Sequence, residues 1–114
     1  MSRRPAYAPL PTAKFASVEE AWFWTMGSLR ARREGASSGG ARRSPPCEPD
    51  DVIRCLERLY RGRHIDAAHA QVLQMWGERQ MPPESGHRGS GERLLWREAM
   101  DRLRPLLRAK GIVD

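Results

Sequence analysis

Residues 49–80 read PDDVIRCLERLYRGRHIDAAHAQVLQMWGERQ, which is two amphipathic segments on either side of a glycine-containing turn. In the first segment, apolar side chains recur every three or four residues: Val52, Cys55, Leu56, Leu59 and Tyr60. This spacing places them on one face of an α-helix. Pro49 fits the first helical position, and Asp50 and Asp51 fit the positive end of the helix dipole. The pattern predicts a helix over residues 49–61.

The second segment follows a short turn. Gly62 ends the first helix, and the next three residues form the turn. Asp66 suits an N-cap, because its carboxylate can accept the free N–H groups of the following helical turn. The stripe predicted to be buried consists of His69, Val72, Leu73 and Trp76, with Ile65 just outside the cap. Pro82 and Pro83 cannot continue the helix, so we predict a helix over 66–80.

A third helix is predicted before this pair, over residues 17–34. Ser17 and Glu20 have the spacing of a capping box, and Gly35 is a suitable stop. One apolar face carries Val18, Trp22, Thr25, Met26 and Leu29. Phe23 and Trp24 point away from that face. A helix that is apolar on more than one side is either central in its own domain or covered by another chain.

The fourth predicted helix spans residues 91–109. Its core side carries Leu95, Trp96, Ala99, Leu103, Leu106 and Leu107. Pro105 is expected to kink it, and Gly111 followed by Ile112 is typical of a Schellman ending. No stretch alternates apolar and polar residues as a strand does. The fold class is therefore all-α: a small four-helix domain with a helix-turn-helix-like αα-hairpin at 49–80 and two long loops.

Length and composition indicate one domain. A chain of 114 residues is the size of a single small domain. Residues 1–14 contain three prolines and form a predicted flexible basic arm, whereas 15–114 form the helical domain, with a flexible linker at 35–48. The longest apolar run has four residues, at 21–24, so no segment spans a membrane. With two cysteines and no export signal, a cytoplasmic protein is expected.

The chain is strongly basic, with a formal net charge of +6. Eighteen of its 20 basic residues are arginine, whose planar guanidinium suits phosphate recognition. A GC-rich genome would explain the arginine equally well, because its codons enrich Arg, Ala, Gly and Pro together. In general character the chain is similar to short, uncharacterised helical proteins of GC-rich bacteria, a resemblance that implies no activity.

In outline, the pair of helices at 49–80 resembles the helix-turn-helix class of DNA-binding modules. The resemblance implies a transcriptional regulator that places its second helix in the major groove of DNA, with DNA a better target than RNA. Gln71 and Gln74, one turn apart, would then present amides to adenine edges. The residues that would contact phosphates are Arg54, Arg58, Arg61 and Arg63.

Two alternatives stay open at this point. Residues 50–82 carry five basic and five acidic residues, and a neutral unit is poorly suited to phosphate binding. The pair can therefore be a structural αα-hairpin whose outer faces are solvated. The second alternative is a protein-interaction adaptor or homodimer that contacts its partner through the aromatic surface of the first helix, at Trp22, Phe23 and Trp24.

The sequence contains no pattern that predicts an enzyme, a cofactor or a metal site. Cys47 and Cys55 are eight residues apart, which is not the spacing of zinc ligands. His69 lies on the predicted buried stripe and is expected to be a hydrogen-bonded core histidine. The paired carboxylates all lie in first helical turns, where the dipole accounts for them.

Overall fold

The computed structural model describes residues 13–35, 45–83 and 90–114. These residues form four helices: α1 (Val18–Arg33), α2 (Pro49–Arg61), α3 (Ala67–Arg79) and α4 (Ser90–Ala109). The described ranges contain no strand, only an isolated bridge between Phe15 and Val113. The all-α class is confirmed, and each helix end lies within one residue of its predicted position. The predicted arm at 1–14 and linker at 35–48 fall mainly outside the described residues.

Side chains at the helix starts satisfy the free backbone N–H groups. The Ser17 hydroxyl accepts from the Glu20 N–H at 3.1 Å. The Glu20 carboxylate accepts from Ala16 at 2.7 Å, one residue earlier than a standard capping box requires. At α3, the Asp66 carboxylate accepts from the N–H groups of Ala68 and His69. The local sequence alone therefore fixes where these two helices begin.

The end of α4 is the Schellman motif that its sequence predicts. The Ile112 N–H donates to the Leu107 carbonyl at 2.9 Å, and the Gly111 N–H donates to Arg108 at 3.0 Å. Gly111 has φ of 75°, a left-handed conformation that glycine adopts without steric cost. Ile112 and Leu107 are both buried, as the apolar contact of this motif requires.

Helices α1 and α4 each pack against the other three helices, whereas α2 and α3 make only marginal contact with one another. This position of α1 accounts for the burial of Trp22, whereas a partner contact at Phe23 and Trp24, which are only partly buried, stays a prediction. The core is made of the following buried apolar residues: Val18, Ala21, Trp22, Val52, Cys55, Leu59, Ile65, Val72, Leu73, Trp96, Ala99, Met100, Leu103, Leu107, Ile112 and Val113.

One assignment to the buried stripes is wrong. Tyr60 is 52% exposed, although it was placed on the apolar stripe of α2. At 100° per residue it lies at the edge of that stripe, about 100° from Leu59, and no neighbouring helix covers it. Conversely, Met100 is buried although it was not assigned to the core side of α4. Both residues lie at the edge of a contact face. Whether they are buried therefore depends on how wide that face is.

Three tryptophan indoles tie α1, α3 and α4 together. The Trp22 indole N–H on α1 donates to the Leu73 carbonyl of α3 at 2.9 Å. The Trp76 indole on α3 donates to Glu92 of α4 at 3.0 Å. The third indole, on Trp96 of α4, donates to Glu19 of α1 at 2.6 Å. The three bonds link α1 to α3, α3 to α4 and α4 to α1. We call them the indole hydrogen-bond cycle.

The first of these bonds depends on a glycine. Gly77 is buried where α3 meets α1, and a Cβ at this position would lie 2.7 Å from the Trp22 indole nitrogen. The same Cβ would lie 2.6 Å from Cγ of Met26. Only glycine therefore allows the two helices to approach closely enough for the Trp22 bond.

Gly77→Ala is expected to lower the free energy of unfolding by about 2 kcal/mol, because the added methyl overpacks the contact between α1 and α3. Gly91→Ala is the matched control: it is also a helical glycine, but its added Cβ would meet nothing within 4 Å. Urea unfolding of both variants measures the difference. Equal stability of the two variants would contradict the packing described at Gly77.

Candidate nucleic-acid interface

The outer face of α2 carries three of the arginines predicted to contact phosphates. Arg54, Arg58 and Arg61 are all exposed, because they lie opposite the buried stripe. Arg54 pairs with Asp51 at 3.0 Å, and Arg61 lies 3.9 Å from Glu57. Within the described chain Arg58 makes no ion pair. Exposed pairs of this kind are weak, so all three guanidinium groups can reach an external anion.

The fourth predicted arginine, Arg63, lies at the corner between α2 and α3 in a left-handed conformation. Its φ is 63°, its N–H donates to Tyr60, and the His64 N–H donates to Leu59 at 2.9 Å. This is a Schellman ending with arginine where glycine is usual. A side chain in this conformation costs about 1 kcal/mol. The predicted stop, Gly62, has an ordinary right-handed φ of −80°.

Helix α3 presents a small polar outer face. Gln71, Gln74 and Ala67 are exposed, and Ala70 is partly buried. The Gln74 amide lies 3.5 Å from the Glu78 carboxylate, one helical turn later. Both glutamines therefore point away from the core, but Glu78 adds a negative charge beside Gln74.

An open groove of about 390 Å³ brings parts of these two faces together. Its lining comes from both helices and the corner between them: Leu56, Glu57, Tyr60, Arg61, Ile65 and Ala70. Arg61 of α2 and Ala70 of α3 thus share one depression. Gln74 follows Ala70 by one helical turn, so it lies on the same side of α3. Gln71, Arg54, Arg58 and Arg63 do not line this groove.

Arg58 lies at a second depression, which sequence reasoning missed. This cleft of about 490 Å³ lies between α2 and α4 and is lined by Arg58, Leu59, Gly62, His64, Asp101, Arg102, Pro105 and Leu106. Arg58 of α2 and Arg102 of α4 therefore share this cleft with Asp101, and Arg102 also lies 3.7 Å from Glu98. Pro105 has no N–H, so the Asp101 carbonyl loses its helical donor there. In the sequence, the only feature that indicated a second basic group beside Arg58 was Arg102 on the side of α4.

The start of α3 is held by Asp66, His69 and Glu98. The His69 ring is buried, with one nitrogen 3.1 Å from the Asp66 backbone nitrogen and the other 2.9 Å from Glu98. The prediction of a hydrogen-bonded core histidine is confirmed. The hydrogen bond from the His69 backbone N–H is the main cause that lowers the pKa of Asp66, and the Ala68 N–H adds to it.

The two cysteines are free thiols. Burial, followed by the nearby negative charges of Asp51 and Glu48, raises the pKa of Cys47 to about 11. Burial is also the main cause that raises the pKa of Cys55. In the part of the chain that is described, no group of three His, Cys, Asp or Glu side chains could hold a metal ion.

The aromatic residues of α1 are engaged within the molecule. Trp22 is only 2% exposed. The Phe23 ring stacks on Trp96 with centroids 5.7 Å apart, and Trp24 lies 5.1 Å from Phe15 in a tilted arrangement. Phe23 and Trp24 remain partly exposed, so they are the part of this surface that a partner could reach.

No protein-family model matches the chain, and no curated protein or solved structure is significantly similar to it. The resemblance to helix-turn-helix modules therefore rests on residues 49–80 themselves. None of the helices described is long and apolar enough to cross a lipid bilayer.

The lowered pKa of Asp66 makes the stability of the fold depend on pH. The ionised carboxylate caps α3, so its contribution is present at neutral pH and is lost as the pH falls through the lowered pKa. Asp66→Asn removes this titration. Urea unfolding from pH 7 to pH 2 should therefore show a smaller acid-induced loss of stability for the variant than for the wild type. Parallel pH profiles would contradict this role of Asp66.

Proposed function

We propose that this protein binds nucleic acid, DNA rather than RNA, and regulates transcription with α2 and α3. The observation that carries the proposal is the groove at the α2–α3 corner, where Arg61 and Ala70 line one depression. Arg61 is exposed at this groove, and the exposed Gln74 lies one helical turn after Ala70 on the same side of α3. A surface with phosphate donors on one helix and small or amide side chains on the next suits both backbone and base contacts.

In this proposal the two helices have different roles. Arg58 and Arg63 make no ion pair within the described chain, so they are the best phosphate ligands of the four. Gln71 and Gln74 would each offer an amide that donates to and accepts from an adenine edge. The arginines set the position on the duplex, and the glutamines read the sequence.

The local charge sets the strength expected of the complex. Glu57 and Glu78 lie beside Arg61 and Gln74, and the segment 50–82 is neutral overall. Affinity at this surface would therefore come from a few guanidinium–phosphate contacts and fall as salt competes with them. We also propose that the protein acts in the cytoplasm, where thiols stay reduced, because both of its cysteines are free.

The direct test is binding to a labelled mixed-sequence duplex across a salt series. Arg58→Ala should weaken binding to all sequences and reduce the slope of log K against log salt by about 1. Gln71→Ala should relax sequence preference and leave the slope unchanged. Arg32→Ala, which removes an exposed arginine paired with Asp50 on α1, is the control for charge loss alone.

If Arg58→Ala and Gln71→Ala, together with Arg61→Ala and Gln74→Ala at the groove, all bind like the control, α2 and α3 are not the interface. If the wild type binds no duplex even at low salt, the proposal is wrong. The partly exposed rings of Phe23 and Trp24 would then be the surface on which to search for a protein partner or a second copy of the chain.

Arg63→Gly should change stability and binding in opposite directions. Glycine relieves the left-handed backbone conformation, so the free energy of unfolding should rise by about 1 kcal/mol. Loss of the guanidinium should weaken duplex binding and reduce the salt slope. Thermal unfolding and the salt series measure the two effects. A stabilised variant that binds as tightly as the wild type would remove Arg63 from the interface.

A further inference from the structure

Four arginines of α4 lie on one line of the helix surface. Arg93, Arg97, Arg104 and Arg108 are spaced by 4, 7 and 4 residues. At 100° per residue all four fall within an arc of about 60°. The rise of 1.5 Å per residue places the first and last about 22 Å apart along the axis. We call these four residues the α4 stripe; Arg93 is partly exposed and the other three are exposed.

The carboxylates of α4 are held by other groups. Glu92 accepts the Trp76 indole N–H, and Glu98 lies 2.9 Å from the His69 ring. Asp101, the one acid beside the stripe, pairs with Arg104 at 3.0 Å. Within the described residues, Arg93, Arg97 and Arg108 therefore make no ion pair, although α4 carries three acids.

A cleft of about 380 Å³ runs beside the stripe. Its walls are the start of α1, the prolines after α3 and α4: Ser17, Val18, Glu19, Pro82, Pro83, Arg93, Trp96, Arg97, Met100, Asp101 and Arg104. Glu19 lies across from Arg93 and Arg97, but its carboxylate accepts the Trp96 indole N–H. Among the described residues, neither Arg93 nor Arg97 on the rim of this cleft makes an ion pair, whereas Glu19 is held by Trp96 and Asp101 by Arg104.

We propose that the α4 stripe is a second phosphate-contacting surface, which binds the sugar-phosphate backbone of a nucleic-acid duplex. This inference rests on the proposed function. One strand of a duplex carries a phosphate per 3.4 Å of axis but winds around that axis, so a straight stripe of about 22 Å reaches a few phosphates of the backbone that faces it. Rows of guanidinium groups at this length match an extended polyanion better than a single small anion. The stripe shares no lining residue with the α2–α3 groove, so its contribution is separable.

The test is the double variant Arg93→Gln and Arg97→Gln in the same salt series. Glutamine keeps the helix propensity and a long polar side chain but removes the charge. The slope of log K against log salt should fall by about 2, and low-salt affinity should fall at least tenfold on every sequence. The matched control is Arg32→Gln with Arg33→Gln, which removes two exposed charges from α1. Circular dichroism checks that both variants fold.

The outcomes separate this inference from the proposed function. If the wild type and the control bind duplex and the α4 variant keeps their slope, the stripe is not an interface, although the protein still binds nucleic acid. A loss of affinity with an unchanged slope would also overturn the inference, since no phosphate contact would have been removed. If the wild type binds no duplex at all, the proposed function fails, and the stripe fails with it.

Discussion

The arrangement of the helices depends on the indole hydrogen-bond cycle between α1, α3 and α4. A buried indole N–H is costly unless it finds an acceptor, so each of these bonds fixes both the depth and the register of a helix contact. The Trp22 bond is the most demanding, because its acceptor is a backbone carbonyl and Gly77 must admit the ring. Helix α2 is attached differently, through apolar burial of Val52, Cys55 and Leu59.

The same bonds shape the electrostatics of the surface. Glu19 and Glu92 accept indole N–H groups, and Glu98 is held by His69. These carboxylates serve the packing of the helices. The chain has 20 basic and 14 acidic residues, and in its described part neither Glu19 nor Glu92 pairs with an arginine, while Glu98 also lies 3.7 Å from Arg102. Carboxylates that hold the helices together are thus less available to arginines, and this links the packing of the core to the proposed phosphate contacts on α2 and α4.

The sequence predicts the four helices well because their ends are local. Ser17, Asp66 and Gly111 act within a few residues, and the apolar spacing identifies the centre of each buried face. It does not predict which helices are neighbours. The buried stripes of α2 and α3 do belong to one core, but each helix packs on α1 and α4 and only marginally on the other. Tyr60 and Met100 were misjudged because the width of a contact face is a tertiary property.

The candidate site was predictable to a similar extent. Exposure of Arg58 and Gln71 follows from helical periodicity, whereas the spacing of the α4 stripe was present but obscured by the acids between its members.

A titration of isotope-labelled protein with duplex, followed by NMR, tests the account most directly. We expect arginine side-chain signals from α2 and α4 to shift while the indole signal of the buried Trp22 stays fixed. A shifted Trp22 indole with unchanged arginines would contradict the account.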